Sequence, residues 1–384
     1  SFRLPPCLPV FYSNQKAEQN KMNTDKTIVL TGGGTAGHVT PHLALMPRLQ
    51  QDGFDIHYIG TAQGIERGMM ADRPGVSYHE ISSGKLRRYF SWRNLSDPFR
   101  VLAGFFQSYR ILGKVRPDVV FSKGGFVAVP VVAAAWLRRI PVLAHESDLT
   151  PGLANRISAL FARRVAATFP ACAKALGKKG AHTGTPMRAE LFSGDRKKGL
   201  DFMGFDGGKP VLLMMGGSQG AQAVNEALRG ALPFLLPRMD VCHLCGKGKL
   251  APALEGTPGY VQKEFVDREL PDVLAASDVV LSRAGATAIG EFLALRKPML
   301  LVPYPKGASR GDQILNAEDF RKRGLAMVLP QEKMTPQTLA RGLSDLLDQA
   351  DSLRDAMARE PNADGAAAVY AMILELAGKK KHHV

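Results

Sequence analysis

The sequence predicts an α/β protein made of two doubly wound domains that face a cleft. The chain has 384 residues, enough for two domains of ordinary size, and 45% hydrophobic with 22% charged residues is typical of a globular chain. Short apolar runs alternate with helical patterns, which predicts parallel sheets covered by helices. In addition, a glycine-rich turn follows the opening apolar run of each half.

The first half opens on a buried strand at 28–32 that leads into Gly-Gly-Gly-Thr-Ala-Gly-His at 32–38, with a helix from about Pro41. Glycine lets the backbone approach a ligand closely, and amides at a helix start hold anions. We therefore predict a phosphate or sugar-phosphate site, with His38 as a titratable addition. The spacing is not G-x-G-x-x-G and no Gly-Lys-Ser/Thr follows, which disfavours a nicotinamide site or a P-loop.

The rest of this half continues the alternation of strands and helices. One strand, 118–121, runs into a second glycine turn, Ser-Lys-Gly-Gly at 122–125. Loops at the carboxyl ends of parallel strands face one crevice, so this turn belongs beside the first. The other predicted strands are 56–60, 78–82, 141–145, 164–168 and 181–183, and the predicted helices are 95–115, 127–137 and 152–161.

The pattern then begins again. A buried strand at 210–215 enters Gly-Gly-Ser-Gln-Gly at 216–220, and a helix follows from Ala221. Such a turn can be purely structural, but Ser218 adds a hydroxyl to the amide donors of the helix start. Two such turns in tandem domains predict a phosphate on each wall of a cleft. We place the boundary at 185–188 or in the Gly/Lys/Asp-rich stretch 193–209. The further strands are 241–245, 260–265, 278–281, 299–302 and 326–329, with helices from about Thr335.

Two later stretches carry polar side chains suited to a sugar nucleotide. Residues 283–291 form a small-residue junction that ends on Glu291, whose carboxylate can accept hydrogen bonds from ribose hydroxyls or simply complement the helix dipole. Gln313 and Asn316 lie at helical i, i+3 spacing. Their amides can contact sugar hydroxyls, and the alternative is an ordinary capped surface helix.

The net charge of +15 is concentrated in the first half, with 21 Lys+Arg against 10 Asp+Glu in residues 25–185 and 26 against 24 in residues 186–384. Basic and aromatic side chains are interleaved at 85–93 and again at 136–139. Nucleic acid, an anionic membrane and a solvated basic face are all compatible with this mixture. The membrane candidates are Leu86, Arg87, Arg88, Tyr89, Phe90, Trp92, Trp136, Arg138 and Arg139.

Several features bound the remaining possibilities. Four cysteines make no disulfide framework, and Cys242-His243-Leu244-Cys245 is a lone C-x-x-C, expected to be part of a strand rather than a redox or zinc site. The longest apolar run, 127–137, is about half of the roughly 20 residues that span a bilayer. Residues 1–25 are expected to be an unstructured leader, with Met22 as the start.

Taken together, the motifs at 33–38, 184–188, 216–221, 283–291 and 313–317 resemble, in order and spacing, the MurG family. This family of peripheral membrane glycosyltransferases adds N-acetylglucosamine to the undecaprenyl-linked peptidoglycan precursor lipid I, which yields lipid II. The resemblance covers essentially all of residues 26–378. Residues 85–92 and 145–155 look most like the Firmicutes-type branch.

The resemblance implies an inverting enzyme with the GT-B fold, in which two Rossmann-like domains face a cleft. Residues 26–185 would be the acceptor and membrane-docking domain, residues 186–350 the UDP-sugar donor domain, and residues 351–384 helices that pack back toward the first domain, with a basic tail. The implied partners are UDP-N-acetylglucosamine, lipid I and anionic lipids of the inner leaflet, on the cytoplasmic face, with room for cell-wall synthesis proteins. No nucleic acid, cofactor or metal is implied.

The same resemblance assigns roles on the donor side. It places Ser218 and Arg188 at the donor phosphates and the Val266 backbone at the uracil edge. It places Glu291 at the ribose and Gln313 at the sugar, with Ala286 and Thr287 lining the phosphates.

On the acceptor side, Thr35, Ala36 and Gly37 belong to the loop where the acceptor pyrophosphate and the donor sugar meet. His38 becomes the candidate general base for the 4-hydroxyl of the muramyl sugar, because imidazole suits that task near neutral pH. The alternative for His38 is helix capping and loop order.

Two positions depart from the family pattern. Asp312-Gln313 stands where many relatives have consecutive glutamines, so only Gln313 carries over, and Asp148 stands where proteobacterial members have asparagine. A carboxylate there would repel a pyrophosphate unless it were protonated or turned away. Rival functions are a diacylglycerol glycosyltransferase or UDP-sugar epimerase on the same architecture, or a non-catalytic scaffold.

Overall fold

The structure is a computed structural model that describes residues 26–84, 93–217, 220–307, 311–361 and 365–378. It confirms the predicted pair of parallel α/β domains. The first domain is built from β1 (Thr27–Gly32), α1 (Thr40–Gln51), β2 (Asp55–Gly60), α2 (Ile65–Met70), β3 (Val76–Glu80), α3 (Arg93–Val115), β4 (Val119–Gly124), α4 (Ala128–Leu137), β5 (Val142–Glu146), α5 (Leu153–Phe161), β6 (Arg164–Ala167), α6 (Pro170–Ala175) and β7 (Gly180–His182).

The second domain follows the hinge at 183–188. Its elements are α7 (Arg196–Met203), β8 (Val211–Met215), α8 (Gln222–Leu235), β9 (Asp240–Leu244), β10 (Tyr260–Lys263), α9 (Leu270–Ala276), β11 (Val279–Ser282), α10 (Ala286–Ala294), β12 (Met299–Leu301), α11 (Asp312–Lys322), β13 (Met327–Val328), α12 (Pro336–Asp348) and α13 (Ala350–Ala358). The last described helix is α14 (Ala366–Gly378).

All described strand pairs are parallel, in the orders β3-β2-β1-β4-β5-β6-β7 and β10-β9-β8-β11-β12-β13. Each sheet is covered on both faces, so its central strands are largely apolar, whereas edge strands such as β3 and β10 also carry polar residues. In β1, Ile28 and Leu30 pack with α1 and α14, while Val29 packs into the cluster of α3 and α4 on the opposite face. In β8, alternate residues likewise divide between two apolar clusters.

The stretch 193–209 is not an open linker, because it contains α7. Asp195 caps this helix by accepting a hydrogen bond from the backbone N–H of Lys198, and Gly204 ends it in the left-handed region at φ +74°. Any Cβ at Gly199 would overlap the carbonyl oxygen of Asp272 on α9. The glycines that suggested a linker therefore permit close helix packing.

The C-terminal helices divide between the domains. The α13 residues Leu353 and Met357 pack into cores of the second domain, whereas Val369 and Ile373 of α14 complete the core of the first. Across the hinge, Phe169 packs edge-on against Phe320 with ring centroids 5.9 Å apart. The chain therefore returns to its first domain, and the two domains share an apolar contact. None of the helices in the described ranges combines the length and apolarity needed to span a bilayer.

Candidate active site

Strand order brings the predicted glycine turns together. β1 and β4 are parallel neighbours, but the strands that follow β1 are added toward one edge of the first sheet and those that follow β4 toward the other. β8 and β11 have the same relation in the second sheet. Such topological switch points are where open α/β sheets bind ligands. The loops after β1 and β4 pack backbone to backbone: Gly125 has φ +81°, and a Cβ there would overlap the carbonyl oxygen of Gly33. Only glycine fits at Gly125.

The first loop, residues 32–38, ends in a short 3-10 turn that presents His38. The backbone N–H of His38 donates to the carbonyl oxygen of Thr35 at 3.1 Å, and His38 Nδ1 lies 2.9 Å from Thr35 Oγ1. A Cβ at Gly37 would lie 3.4 Å from Thr287 Oγ1 of the second domain. The loop therefore faces the opposite wall of the cleft at close range.

A buried carboxylate that the sequence did not reveal holds this loop. Glu66, fully buried at the start of α2, accepts hydrogen bonds from the backbone N–H groups of Gly34 at 3.2 Å and Thr61 at 3.1 Å. A Cβ at Gly33 would lie 2.6 Å from the Glu66 carboxylate, and Tyr58 OH donates to the Gly32 carbonyl at 2.7 Å. Gly34 and Glu66 are 32 residues apart in sequence, and no local motif predicts that they are in contact.

Between the domains lies a cavity of about 950 Å³. Its first-domain wall includes Lys123, Ser147 and Asn155, which sequence reasoning did not single out, and its second-domain wall includes Phe265, which is 68% exposed. The predicted site residues on its walls are Thr35, Gly37, His38, Arg188, Val266, Ala286, Thr287, Glu291 and Gln313.

Two of the predicted site residues, Ala36 and Ser218, are not among the residues that line the cavity in the described ranges. Ala36 lies in the 3-10 turn of the first loop. Ser218 lies outside the described residues, although the adjacent Gly217 lines the cavity.

The second-domain wall combines small residues with several charged side chains, of which Glu291 and Arg188 are predicted site residues. Burial raises the pKa of Glu291 to about 7, partly offset by the nearby Arg188 guanidinium. Arg188 Nε is buried and has no hydrogen-bond partner within the described ranges, which suits a group that awaits an anion. Any Cβ at Gly290 would lie 2.7 Å from Thr185 Oγ1, so α10 is seated directly on the hinge.

Asn316 has a role that the sequence hypothesis missed. Its fully buried amide donates to Asp148 Oδ1 at 3.1 Å and to the Ala284 carbonyl at 3.3 Å, and its oxygen accepts from the Leu149 N–H at 3.0 Å. Asn316 therefore bridges the two domains instead of contacting a sugar. The same bond shows that one oxygen of Asp148 is directed at the second domain. Gln313 remains at the cavity, where its Oε1 accepts from the Tyr304 N–H at 3.3 Å.

The remaining candidates are the C-x-x-C motif and the predicted docking residues. Cys242 is in the core strand β9, and burial raises its thiol pKa to about 12, which argues against a thiolate role. Leu86, Arg87, Arg88, Tyr89, Phe90 and Trp92 lie outside the described residues.

The rest of the predicted docking group is at the surface of the first domain. Trp136 is 56% exposed at the end of α4. The Arg138 guanidinium stacks 3.8 Å from the centroid of the Tyr109 ring, and Arg139 is exposed. On the outer side of α3, Phe99, Leu102 and Phe106 are also exposed, at helical i, i+3 and i+7 spacing. That spacing was readable in the sequence, but it predicts a core face as readily as a surface patch.

Comparisons with known proteins agree with this architecture. Residues 28–167 match the glycosyltransferase family 28 N-terminal domain, and residues 211–370 match the corresponding C-terminal domain. The crystal structure of Acinetobacter baumannii MurG is similar with a TM-score of 0.71 and 26% identity, covering 91% of this chain and 99% of that one. The calicheamicin glycosyltransferase CalG4, at 16% identity and a TM-score of 0.69, shares the fold over 93% of this chain and 100% of its own. The predicted GT-B architecture is confirmed.

Curated relatives are closer in sequence. A Geobacillus thermodenitrificans protein named UDP-N-acetylglucosamine–N-acetylmuramyl-(pentapeptide) pyrophosphoryl-undecaprenol N-acetylglucosamine transferase is 51% identical over 349 residues, covering 91% of this chain and 98% of that protein. A protein of the same name from Lachnoclostridium phytofermentans is 52% identical over 352 residues, covering 91% and 99%. The predicted resemblance, including its Firmicutes-type branch, is confirmed, and the chain belongs to the MurG family of glycosyltransferases.

Proposed function

We propose that this protein transfers N-acetylglucosamine from UDP-N-acetylglucosamine to the 4-hydroxyl of lipid I, the undecaprenyl-pyrophosphoryl-N-acetylmuramyl-pentapeptide, to form lipid II in peptidoglycan synthesis. The observation that carries the proposal is the interdomain cavity, in which His38 on one wall faces Thr287, Glu291 and Gln313 on the other. Its volume of about 950 Å³ is in the range of small-molecule sites.

The second-domain wall would hold the donor. The Glu291 carboxylate accepts hydrogen bonds from the ribose hydroxyls, and the Val266 backbone contacts the uracil edge. Phe265 offers an exposed aromatic face for the base to stack on. The start of α10 at Ala286 and Thr287, together with Arg188 and Ser218, stabilises the diphosphate as negative charge develops on departing UDP.

His38 would act as the general base. With Nδ1 held at Thr35 Oγ1, the ring can present Nε2 to the acceptor hydroxyl. The acceptor oxygen forms a bond to the anomeric carbon as the bond from that carbon to the UDP oxygen breaks, and its proton passes to His38. Configuration inverts because the nucleophile approaches from the face opposite UDP.

Transfer assays test this function directly. Labelled UDP-N-acetylglucosamine and a short-chain lipid I analogue are expected to give a product heavier by one N-acetylglucosamine. Transfer only to diacylglycerol, or epimerised donor without transfer, would reject the assignment. A scaffold without activity would give no transfer product and no epimerised donor.

We also propose that the protein docks peripherally on the cytoplasmic face of the membrane through the first domain. The exposed apolar residues of α3, with Trp136 and the neighbouring arginines, combine interfacial aromatics with cations that attract anionic headgroups. Residues 85–92 carry the same mixture of basic and aromatic side chains in the sequence.

Vesicle co-sedimentation tests the docking proposal. Phe106→Ser and Trp136→Ser should each weaken binding to anionic vesicles severalfold, and higher salt should weaken the wild type. Phe234→Ser is the matched control, because Phe234 is 53% exposed on α8 of the other domain. Equal losses in all three variants would argue against a localised docking face.

A further inference from the structure

Lys123 is an ammonium group buried at the floor of the cleft. It lies near the end of β4, at the switch point of the first sheet, and only 1% of its surface is exposed. It nevertheless lines the interdomain cavity, together with His38, Ser147 and Asn155. Buried lysines are rare unless they are paired, so this position asks for a partner.

The hydroxyl of Ser147 orients the Lys123 ammonium group. Lys123 Nζ donates to Ser147 Oγ. The nearest carboxylates hold other partners: Glu146 accepts from the Asp148 N–H at 2.9 Å and from Asn155 Nδ2 at 2.8 Å, and Asp148 Oδ1 accepts from Asn316. The acidic side chains of this loop are therefore tied to their own loop and to the second domain.

The pKa values of these buried groups also identify Lys123 as the positive charge among them. Burial lowers the pKa of Lys123 to about 8, although Glu146 and Asp148 raise it, and burial also lowers the pKa values of His42 and His145 beside it. At neutral pH the two histidines are uncharged, so Lys123 is the cation in this group. Lys123 therefore offsets the negative charge that Glu146 and Asp148 would present to an anionic ligand.

From these observations we propose that Lys123, oriented by Ser147, binds the pyrophosphate of the lipid-linked acceptor and thereby selects acceptors that carry one. This inference rests on the proposed transfer reaction and adds a specificity-determining residue to it. A charge-assisted hydrogen bond of this kind suits a phosphate oxygen at the edge of the second glycine turn. The positive charge of Lys123 also explains how a loop that carries Glu146 and Asp148 can lie beside an anionic substrate.

Lys297 provides a matched control within the same chain. Burial lowers its pKa to about 8 as well. Its Nζ, however, donates to the carbonyl oxygens of Ser277 at 2.7 Å and Ala275 at 3.4 Å, so backbone groups satisfy it within the second domain. Both lysines have a pKa lowered to about 8, but they differ in their partners, and Lys297 is half-buried whereas Lys123 is fully buried.

The test compares Lys123→Met and Lys297→Met in steady-state transfer to a lipid I analogue. For Lys123→Met the acceptor KM should rise about 10- to 100-fold, as expected for loss of a charge-assisted contact, with donor KM within twofold of wild type. Lys297→Met should leave the acceptor KM unchanged. Geranyl pyrophosphate should inhibit competitively against the acceptor, about tenfold less well in Lys123→Met, while any inhibition by uncharged geraniol should be equal in both.

An unchanged acceptor KM and unchanged geranyl pyrophosphate inhibition in Lys123→Met would overturn the proposal. Equal loss of inhibition by geranyl pyrophosphate and geraniol would also overturn it, because that pattern reports a disturbed loop. If Lys123→Met does not fold, Ser147→Ala keeps the ammonium and should still weaken geranyl pyrophosphate selectively, by about threefold. Absence of transfer by the wild-type protein would instead reject the proposed function.

Discussion

The two walls of the cleft use one backbone design for different chemistry. In each domain, strands that leave a switch point end in glycine-rich loops at the same edge of a parallel sheet. The first-domain wall places titratable side chains beneath those loops, namely His38, His42, Lys123, His145 and Glu146. The second-domain wall combines the small residues at 285–288 with charged side chains, namely Arg188, Glu264, Asp267, Glu291 and Asp312.

Under the proposed function the two walls have different tasks. The small residues and backbone amides of the second-domain wall suit the nucleotide, and Glu291, with a pKa of about 7, adds a group that makes donor binding depend on pH. The proposed proton transfer requires a titratable group beside the acceptor, and His38 on the first-domain wall is the candidate.

The largest effect is expected for His38→Ala. Loss of a general base should lower kcat by about 10²–10⁴-fold while donor KM changes little, because His38 lies on the wall opposite the proposed nucleotide site. Steady-state kinetics with both substrates varied gives the two values. Unchanged turnover would leave His38 only its capping and loop-ordering role, which Thr35→Ala would then reproduce.

Next, a pair of glycine substitutions compares the loops themselves. Gly125 and Gly217 have φ values of +81° and +90°, but a Cβ at Gly125 meets the Gly33 backbone, whereas a Cβ at Gly217 has no described neighbour within 4 Å. Gly217→Ala should cost about 1–2 kcal/mol from backbone strain alone, and Gly125→Ala about 3 kcal/mol or more because overlap adds to strain. Calorimetric unfolding distinguishes them. Equal losses would mean that the first-domain loops are not packed against each other.

A smaller effect is expected from pH at the donor wall. Because the pKa of Glu291 is raised to about 7, the side chain is mostly carboxylate at pH 8 and mostly acid at pH 6. Two ribose hydroxyls donate best to the ionised form, so UDP-N-acetylglucosamine should bind about tenfold more weakly at pH 6 than at pH 8. Glu291→Gln should bind with the weaker affinity at both pH values. Titration calorimetry measures donor binding directly, so any effect of pH on turnover through His38 does not enter the result. A wild-type affinity that does not change with pH would contradict this role for Glu291.

The smallest effect compares two amides on α11. Gln313→Ala should raise only the donor KM, whereas Asn316→Ala should raise both KM values by about fivefold, because it removes hydrogen bonds that join the walls. Kinetics with each substrate varied separates the two variants. Identical behaviour would indicate that Asn316 contacts the donor side alone.

The sequence was most informative about elements that are buried on both sides. β1 and β8 read as apolar runs because parallel strands between two helical layers have no solvated face. The loops were recognisable because they need glycine for positive φ. Composition failed at α7, where glycines that permit close packing on α9 resembled a linker.

Side-chain partners over long distances were not predictable. Glu66 holds Gly34 across 32 residues, and Asn316 holds Leu149 across 167 residues. Lys123 and Ser147 come from adjacent strands and meet only after the sheet forms. None of these pairs has a periodicity that a linear pattern could display.

The two-domain parallel architecture and the glycine loops could therefore be predicted from the sequence, because hydrophobic periodicity and glycine conformation are local properties, and the family resemblance added part of the cleft lining. The folded arrangement alone reveals that Asn316 joins the domains, that Glu66 orders the first loop and that Lys123 lies buried in the cleft. Those roles depend on which buried polar groups find partners, and burial is a property of the whole fold.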